Sequence, residues 1–306
     1  MALNKLMFSA IKLASKKDLD VKNNYEQTRK IFDISHPPLK GEYNMWEYSV
    51  KKDGYEIPVR IFAPEETKPV QAIVFFHGGG WVTGNINSYT NTCSRIARVT
   101  NSYVISVDYR LAPENKFPCA VNDCFDTLSL VYERIEDFGL TKDRVYLMGD
   151  SAGGNLSAAV SLMARDKGLT VPKKQILIYP ATNYDHSPNS PFKSVEENGY
   201  DYFLTSKRIR DYLSLYVEEG FTDYHNPYFA PLTAKDFSNQ PQTLIITAEF
   251  CPLRDEGEYY GEKLREAGNY VEIHRIPDAI HGFITLPPQF KAVRDSFAII
   301  NRFLNI

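Results

Sequence analysis

The sequence predicts an α/β fold with a mostly parallel sheet of about eight strands, flanked by helices on both faces. Three observations carry this prediction. Short apolar runs alternate with longer segments of helical periodicity along most of the 306 residues. Residues 71–76 form a nearly continuous apolar run, which indicates a strand buried on both faces. Residues 144–148 lead into a glycine-rich turn and a small-residue helix, as in a strand–turn–helix unit of a parallel sheet.

The first part of the chain departs from this alternation. Residues 1–40 are predicted to be helical and to end at Pro37-Pro38. Their apolar patch, residues 6–14, is interrupted by Lys12 and is too short to span a bilayer, so we interpret it as an amphipathic helix. Residues 43–50 and 55–62 flank Asp53-Gly54 and predict an antiparallel hairpin.

The remaining elements follow in order. Further strands are predicted at residues 71–76, 103–107, 144–148, 175–179, 243–248 and 271–276. Helices are predicted at residues 91–99, 120–137, 152–164, 206–217, 256–267 and 290–304. Residues 181 to about 230 interrupt the rhythm because they are polar, aromatic and rich in loop signals, and we interpret them as an insertion over the sheet.

Composition excludes several classes of function. The hydrophobic content of 43% is sufficient for a large core, and the net charge of -3 without a basic run argues against nucleic acid or a membrane surface as a partner. The four cysteines show neither metal-ligand spacing nor a disulfide framework, which predicts a reducing, cytoplasmic location. The sequence leaves a homo-oligomer open.

The turn Gly149-x-Ser151-x-Gly153 predicts a nucleophile. Glycines flank the serine because the turn is too sharp for larger side chains, and the turn lifts the hydroxyl above the edge of the sheet. The following helix directs its dipole and free N–H groups at any negative charge that develops there. The alternative is a strand-to-helix turn with a capping serine, but the strand before it and the helix after it favour the nucleophile.

Residues 77–80, His-Gly-Gly-Gly, follow the buried strand at 71–76. A loop without side chains lets its N–H groups approach the oxyanion that forms during attack on an ester carbonyl. The N–H of Ala152, directly after the nucleophile, is the second donor. A flexible turn is the alternative, although it does not need a third glycine.

The general base is expected to be a histidine, because its pKa lies near neutrality. Among the six histidines, His281 follows the last predicted strand, where the order serine, acid, histidine places the base. His274 lies within that strand and is interpreted as structural. For His186 and His225, which lie in the insertion, an exposed position is favoured over a substrate contact, and His36 has no supporting context.

Together these segments resemble the hormone-sensitive-lipase-like group of α/β hydrolases, the bacterial esterases called family IV. The matching motifs are His77-Gly78-Gly79-Gly80-Trp81, Asp108-Tyr109-Arg110-Leu111-Ala112-Pro113-Glu114, Gly149-Asp150-Ser151-Ala152-Gly153-Gly154, Pro252-Leu253-Arg254-Asp255-Glu256-Gly257 and His281-Gly282-Phe283. The resemblance implies a carboxylesterase acting on small-molecule esters with short or medium acyl chains, without metal or organic cofactor. It places oxyanion N–H groups on Gly79, Gly80 and Ala152. It also implies an α/β-hydrolase domain at 41–306, capped by residues 1–40 and an insertion of about 181–225.

One position departs from the family pattern, because Cys251 stands where the family carries its triad aspartate. A thiol has a pKa of about 8.5 and is mostly neutral at pH 7, so it cannot balance an imidazolium as a carboxylate does. Three alternatives follow. Glu249 or Asp255 replaces the acid, or the triad works slowly without one, or the chain is a ligand-binding protein. The plant gibberellin receptors, which share the fold, keep the serine and lose the histidine, so His281 argues against the last alternative.

Other candidate residues surround these motifs. Trp81, Tyr202 and Phe203 either line the acyl pocket or serve as packing. Asp108 and Arg110 are expected to fix the loop that contains them, and Asp150 is expected to brace the turn around the nucleophile.

Overall fold

The computed structural model of the chain describes residues 20–38, 43–52 and 54–305. Within them, eight strands form one sheet in the order β1-β2-β4-β3-β5-β6-β7-β8. The strands are β1 Met45–Lys52, β2 Tyr55–Phe62, β3 Gln71–Phe76, β4 Ser102–Val107, β5 Val145–Asp150, β6 Lys174–Ile178, β7 Gln242–Phe250 and β8 Val271–Ile280.

Helices cover both faces of the sheet or lie above one end of it. They are α1 Tyr25–Ser35, α2 Thr90–Thr100, α3 Cys119–Arg134, α4 Ala152–Asp166, α5 Lys193–Asn198, α6 Ser206–Tyr216, α7 Arg254–Glu266 and α8 Lys291–Leu304.

The sheet is mostly parallel, as the sequence predicts. β1 pairs antiparallel with β2, and β2 pairs antiparallel with β4, while every pair from β4 across to β8 is parallel. Parallel neighbours need crossover connections, and the helices that make them bury both faces of the central strands. All residues of β3, β5 and β6 are accordingly buried. The fold-class prediction is therefore confirmed.

Glycine at position 153 lets α4 approach the end of β3. A β-carbon at Gly153 would lie 1.9 Å from the carbonyl oxygen of Phe76, which no real side chain permits. The same glycine therefore brings the serine turn beside the loop at residues 77–80. This close approach explains the G-x-S-x-G spacing in terms of packing.

Several boundaries differ from the sequence prediction. β8 continues to Ile280 instead of ending at residue 276. Its pairing with β7 shifts register between Ala248 and Phe250, and Asp278 has a positive φ of 56°, so the strand resumes after an irregular stretch. The short helix α5 was not predicted, since six residues give too weak a periodicity.

Some sequence predictions fall on undescribed parts of the chain. The amphipathic helix at residues 6–14 and Asp53 of the hairpin turn lie outside the described residues, as do residues 1–19 and 39–40 of the N-terminal region. From that region the structure describes α1. None of the helices in the described ranges has the length and apolar character needed to cross a bilayer.

Candidate active site

Ser151 occupies a strained turn between β5 and α4. Its φ of 55° and ψ of −117° are rare for a residue with a side chain, and such strain persists only where the surroundings hold it. The Ser151 N–H donates to the carbonyl of Ile178 at 2.9 Å, and its carbonyl accepts from Asn155 and Ala181. Backbone bonds to two neighbouring segments therefore fix the turn.

His281 follows β8 directly and meets the serine. Its Nε2 lies 2.9 Å from Oγ of Ser151, within hydrogen-bond reach. The imidazole is 7% exposed and packs against the Tyr179 ring, with centroids 4.6 Å apart. Burial lowers the pKa of His281 to about 3. The ring is consequently neutral at pH 7 and has a free lone pair, but its protonated form is disfavoured where it stands.

Cys251 lies on the other side of the imidazole. Its Sγ is 3.2 Å from Nδ1 of His281, and the residue is fully buried at the end of β7. Burial raises the pKa of the Cys251 thiol far above its ordinary value, so the group is neutral. A carboxylate accepts only from Nδ1–H, whereas a thiol can pair with either tautomer of the ring. Cys251 therefore neither selects the tautomer that frees Nε2 nor compensates the charge of an imidazolium.

The two carboxylates considered as substitutes are bonded elsewhere. Oε2 of Glu249 accepts from the backbone N–H of Asp278 at 2.8 Å. Oδ2 of Asp255 accepts from the N–H of Ser194 at 2.8 Å, and its other oxygen accepts from Arg254. The structure thus brings Cys251, and not Glu249 or Asp255, into contact with His281.

The glycine loop presents backbone donors near the serine. Gly79 and Gly80 have φ angles of 124° and 61°, which favour glycine. Within the described part of the chain, the N–H groups of Gly79 and Gly80 donate to no partner. Ala152 is the first residue of α4, so its N–H has no acceptor within the helix. These three N–H groups are available to a developing oxyanion.

Asp150 holds this loop in place from beneath. Its Oδ1 accepts from the N–H of Gly78 at 2.9 Å, and its Oδ2 accepts from the hydroxyls of Tyr89 at 3.0 Å and Tyr179 at 3.4 Å. The residue is 2% exposed, and burial raises the pKa of Asp150 to about 7. The sequence points to Asp150 as a brace but does not reveal its tyrosine partners, which come from separate segments.

Aromatic side chains surround the same end of the sheet. Trp81 is 3% exposed and stacks on Tyr216 of α6, with centroids 4.5 Å apart and planes 3° from parallel. Tyr202 stacks on Phe250, whereas Phe203 is 52% exposed. Trp81 thus packs the loop against the insertion, and of the three candidates Phe203 has the most exposed ring.

Tyr212 of α6 lies over the glycine loop, a contact that the sequence did not suggest. A β-carbon at Gly80 would lie 2.4 Å from Cγ of the Tyr212 ring. The insertion therefore places an aromatic ring in direct contact with Gly80 of the glycine loop.

The expectation that His186 is exposed is wrong. Its side chain and that of Glu256 are fully buried, and Nε2 of His186 lies 2.7 Å from Oε2 of Glu256. The other oxygen of Glu256 accepts from the N–H groups of Thr182 and Asn183. This pair ties the start of the insertion to α7. The family motif at residues 252–257 contains Glu256 but gives no indication of its partner.

The loop after β4 is fixed as predicted. Arg110 forms a bidentate pair with the buried Asp123, with a shortest distance of 2.7 Å, and its guanidinium lies 3.8 Å from the centroid of the Tyr55 ring. Oδ1 of Asp108 accepts from the N–H of Ile86. In the described ranges, no group of three or more histidine, cysteine, aspartate or glutamate side chains is arranged to hold a metal ion.

Comparison with known proteins adds to this geometry. A family model described as the α/β hydrolase fold matches residues 73–285. An arylesterase of Saccharolobus solfataricus is 38% identical over 248 residues, which cover 81% of this chain and 79% of that protein. An ethyl acetate hydrolase of Pseudomonas putida is 34% identical over 239 residues, covering 77% and 74% of the two chains. The solved structure of a hyperthermophilic esterase from the archaeon Pyrobaculum calidifontis matches with a TM-score of 0.85 at 34% identity, covering 99% and 98% of the two chains.

Proposed function

Because the chain belongs to the α/β-hydrolase family, in its hormone-sensitive-lipase-like branch, and is a carboxylic ester hydrolase, we propose that it cleaves short- to medium-chain acyl esters through an acyl-enzyme on Ser151. The single observation that carries the assignment of the nucleophile is the 2.9 Å contact between Ser151 Oγ and His281 Nε2, in a strained turn at the N-terminus of α4.

The proposed reaction has two halves. Ser151 Oγ attacks the ester carbonyl while Nε2 of His281 takes the hydroxyl proton, and the N–H groups of Gly79, Gly80 and Ala152 bind the oxyanion. The imidazolium then protonates the leaving alcohol. Water attacks the acyl-enzyme, His281 takes its proton, and the serine leaves with that proton as the carboxylic acid is released.

We further propose that turnover is slow because of Cys251. Removing only the charge of the triad acid lowers turnover by about 10⁴ in serine hydrolysis but leaves the nucleophile and oxyanion donors intact. The neutral thiol beside Nδ1 supports the same expectation here. The same observation favours a second candidate, a weakly active or inactive ligand-binding protein of this fold.

We propose that residues 1–40 and the insertion at about 181–225 form a cap over the site. α6, with Tyr212 against Gly80 and Tyr216 against Trp81, supports this role for the insertion. Phe203, whose Cε1 would lie 3.7 Å from a β-carbon at Gly282, is proposed to face the acyl chain together with Tyr202. We also propose a reducing, cytoplasmic location, which the four unpaired cysteines support.

Organophosphate labelling tests the assignment. A fluorophosphonate probe is expected to label the natural protein and to fail on Ser151→Ala, while hydrolysis of p-nitrophenyl acetate, butyrate and hexanoate is lost in that variant. Labelling that persists on Ser151→Ala would show that the nucleophile is elsewhere. If the natural protein binds such esters without any turnover, the binding protein is the correct candidate.

A further inference from the structure

A negative charge beside the imidazole accelerates acyl transfer, and the triad position does not supply one here. In each half of the reaction, His281 is protonated from the attack of the nucleophile until the leaving group departs, and burial disfavours this charged state. Cys251 beside Nδ1 is neutral, and Glu249 and Asp255 are bonded away from the ring. A carboxylate on another side of the imidazole would restore part of the missing stabilisation.

Asp150 is a buried carboxyl group that one residue, Tyr179, connects to the imidazole. It directly precedes the nucleophile, and its Oδ1 accepts from Gly78. Its Oδ2 accepts from the hydroxyls of two tyrosines that come from different elements, Tyr89 before α2 and Tyr179 after β6. Three donors on one buried carboxyl group favour its ionised form against the cost of burial.

Tyr179 connects this carboxyl group to His281. The Tyr179 ring packs on the imidazole at 4.6 Å between centroids, while its hydroxyl reaches Asp150 at 3.4 Å. The same hydroxyl accepts from the N–H of Ile284, three residues after the histidine, at 3.4 Å. The backbone at Tyr179 has a positive φ of 36°, so the surroundings hold this residue in an unfavourable conformation.

We propose that Asp150 is a positioning residue for His281 that supplies, through Tyr179, the negative charge that Cys251 lacks. This inference rests on the proposed function and deepens it. The carboxylate lowers the free energy of the imidazolium by its charge, and Tyr179 fixes the ring from the face against which it packs. Asp150 thus serves both the oxyanion loop, through Gly78, and the base.

Asp150 changes its charge in a pH range in which its titratable neighbours keep theirs. The titratable groups around it are Tyr89, Tyr109, Tyr179 and Cys93, and burial raises the pKa of each of them, that of Cys93 to about 12. The buried His77 on the adjacent loop has a lowered pKa and stays neutral. Around His281 the groups are Ser151, Cys251 and Tyr179. With the pKa of Asp150 raised to about 7, activity that depends on its charge is lost as the pH falls through neutrality.

A double-mutant cycle tests the proposal. Asp150→Asn is made in the natural chain and in Cys251→Asp, and kcat/KM for p-nitrophenyl butyrate is measured in all four proteins. We expect Asp150→Asn to lower kcat/KM at least about tenfold more in the natural chain than beside Asp at 251, where a charge is already present. An equal factor in both backgrounds would mean that Asp150 only braces the loop, and would overturn the proposal.

The pH profile separates the two roles when it is measured in both backgrounds, because a charge at residue 251 replaces that of Asp150 at the base but not its bond to Gly78, so the inflection is expected to shrink in Cys251→Asp. The natural chain is expected to lose kcat/KM as the pH drops through about 7, and Asp150→Asn is expected to lack this inflection. An unchanged inflection in the variant contradicts the proposal.

If Asp150→Asn unfolds, Tyr179→Phe replaces it in the same two backgrounds. This variant keeps the bonds of Asp150 to Gly78 and Tyr89, and thermal melts establish that it is folded. A loss confined to the natural background supports the proposal, and equal losses overturn it. Absence of any Ser151-dependent hydrolysis in the natural chain is a different result, because it rejects the proposed function itself.

Discussion

The sulfur of Cys251 lies 3.2 Å from Nδ1 of His281, on the opposite side of the ring from the 2.9 Å contact to Ser151. In serine triads a carboxylate occupies this place and holds the imidazole in the tautomer that accepts the serine proton. Here a buried neutral thiol occupies it. The proposed nucleophile and base are thus in contact, while the side chain at the third position carries no charge.

Cys251→Asp is expected to raise kcat. A carboxylate at this position accepts from Nδ1–H and stabilises the imidazolium, with about 10⁴-fold as the upper limit if no other carboxylate compensates. KM is expected to change little, because the residue contacts the base. Steady-state kinetics on p-nitrophenyl butyrate measure both constants.

Cys251→Ser is the matched control for this gain, because it keeps the size and neutrality of the thiol and is expected to leave kcat within a few-fold. Glu249→Gln in the natural chain is expected to have no effect on kcat, since Glu249 bonds to Asp278. A large loss in Glu249→Gln, or in Asp255→Asn without loss of folding, would identify that residue as the working acid.

The ionisation of His281 is expected to follow the charge at residue 251. Burial lowers the pKa of His281 to about 3, and a carboxylate at Nδ1 favours the protonated ring, so Cys251→Asp raises this pKa. Imidazole resonances followed by NMR over pH report it directly. Cys251→Ser should keep the low value, and an equal rise in both variants would show that charge is not the cause.

The lowered pKa of His281 also determines how the free energy of unfolding changes with pH. The unfolded chain binds a proton on His281 near 6.5, whereas the folded chain resists it until about 3. The contribution of His281 to the free energy of unfolding is therefore present above about pH 6.5 and lost as the pH falls toward 3.

Glu256→Gln is expected to destabilise the fold. The side chain accepts from two backbone N–H groups and contacts His186 while fully buried, and leaving a buried hydrogen-bonding group without its partner costs about 1–3 kcal/mol. Urea unfolding measures the change. The control is Glu266→Gln, which breaks the exposed pair with Lys263 and should change stability by less than about 1 kcal/mol. Similar losses in both variants would be inconsistent with the structure.

Tyr212→Ala is expected to lower kcat by roughly tenfold or more and to shift the preference toward longer acyl chains. Its ring lies over Gly80, so truncation loosens the donor loop and opens space above it. Specificity constants for acetate, butyrate and hexanoate esters measure the effect. Tyr200→Ala, at an exposed position in the same insertion, is the control, and identical profiles in the two variants would argue against a cap contact at the loop.

The sequence alone predicted the fold class and the chemistry-bearing turns. A turn as sharp as the one around Ser151 and a donor loop at residues 77–80 need glycines at fixed local spacing, so short-range pattern is sufficient to recognise them. Alternation around Asp53-Gly54 predicted β1 and β2, and short apolar runs predicted the other six strands, because burial shapes the composition of a strand. The end of β8 was placed too early, since the irregularity near Asp278 depends on pairing with β7.

Only the tertiary structure decided which side chains face one another. Three findings depend on contacts between residues that are tens to more than a hundred positions apart in the sequence. Cys251, and not Glu249, contacts His281. His186 pairs with Glu256, and Tyr179 contacts both Asp150 and His281. Such partners follow from how strands align and helices pack, and local propensity carries no information about them. The turn around Ser151 and the loop at residues 77–80 follow from local sequence, whereas the side chains that surround His281 are set by packing at the carboxyl ends of the strands.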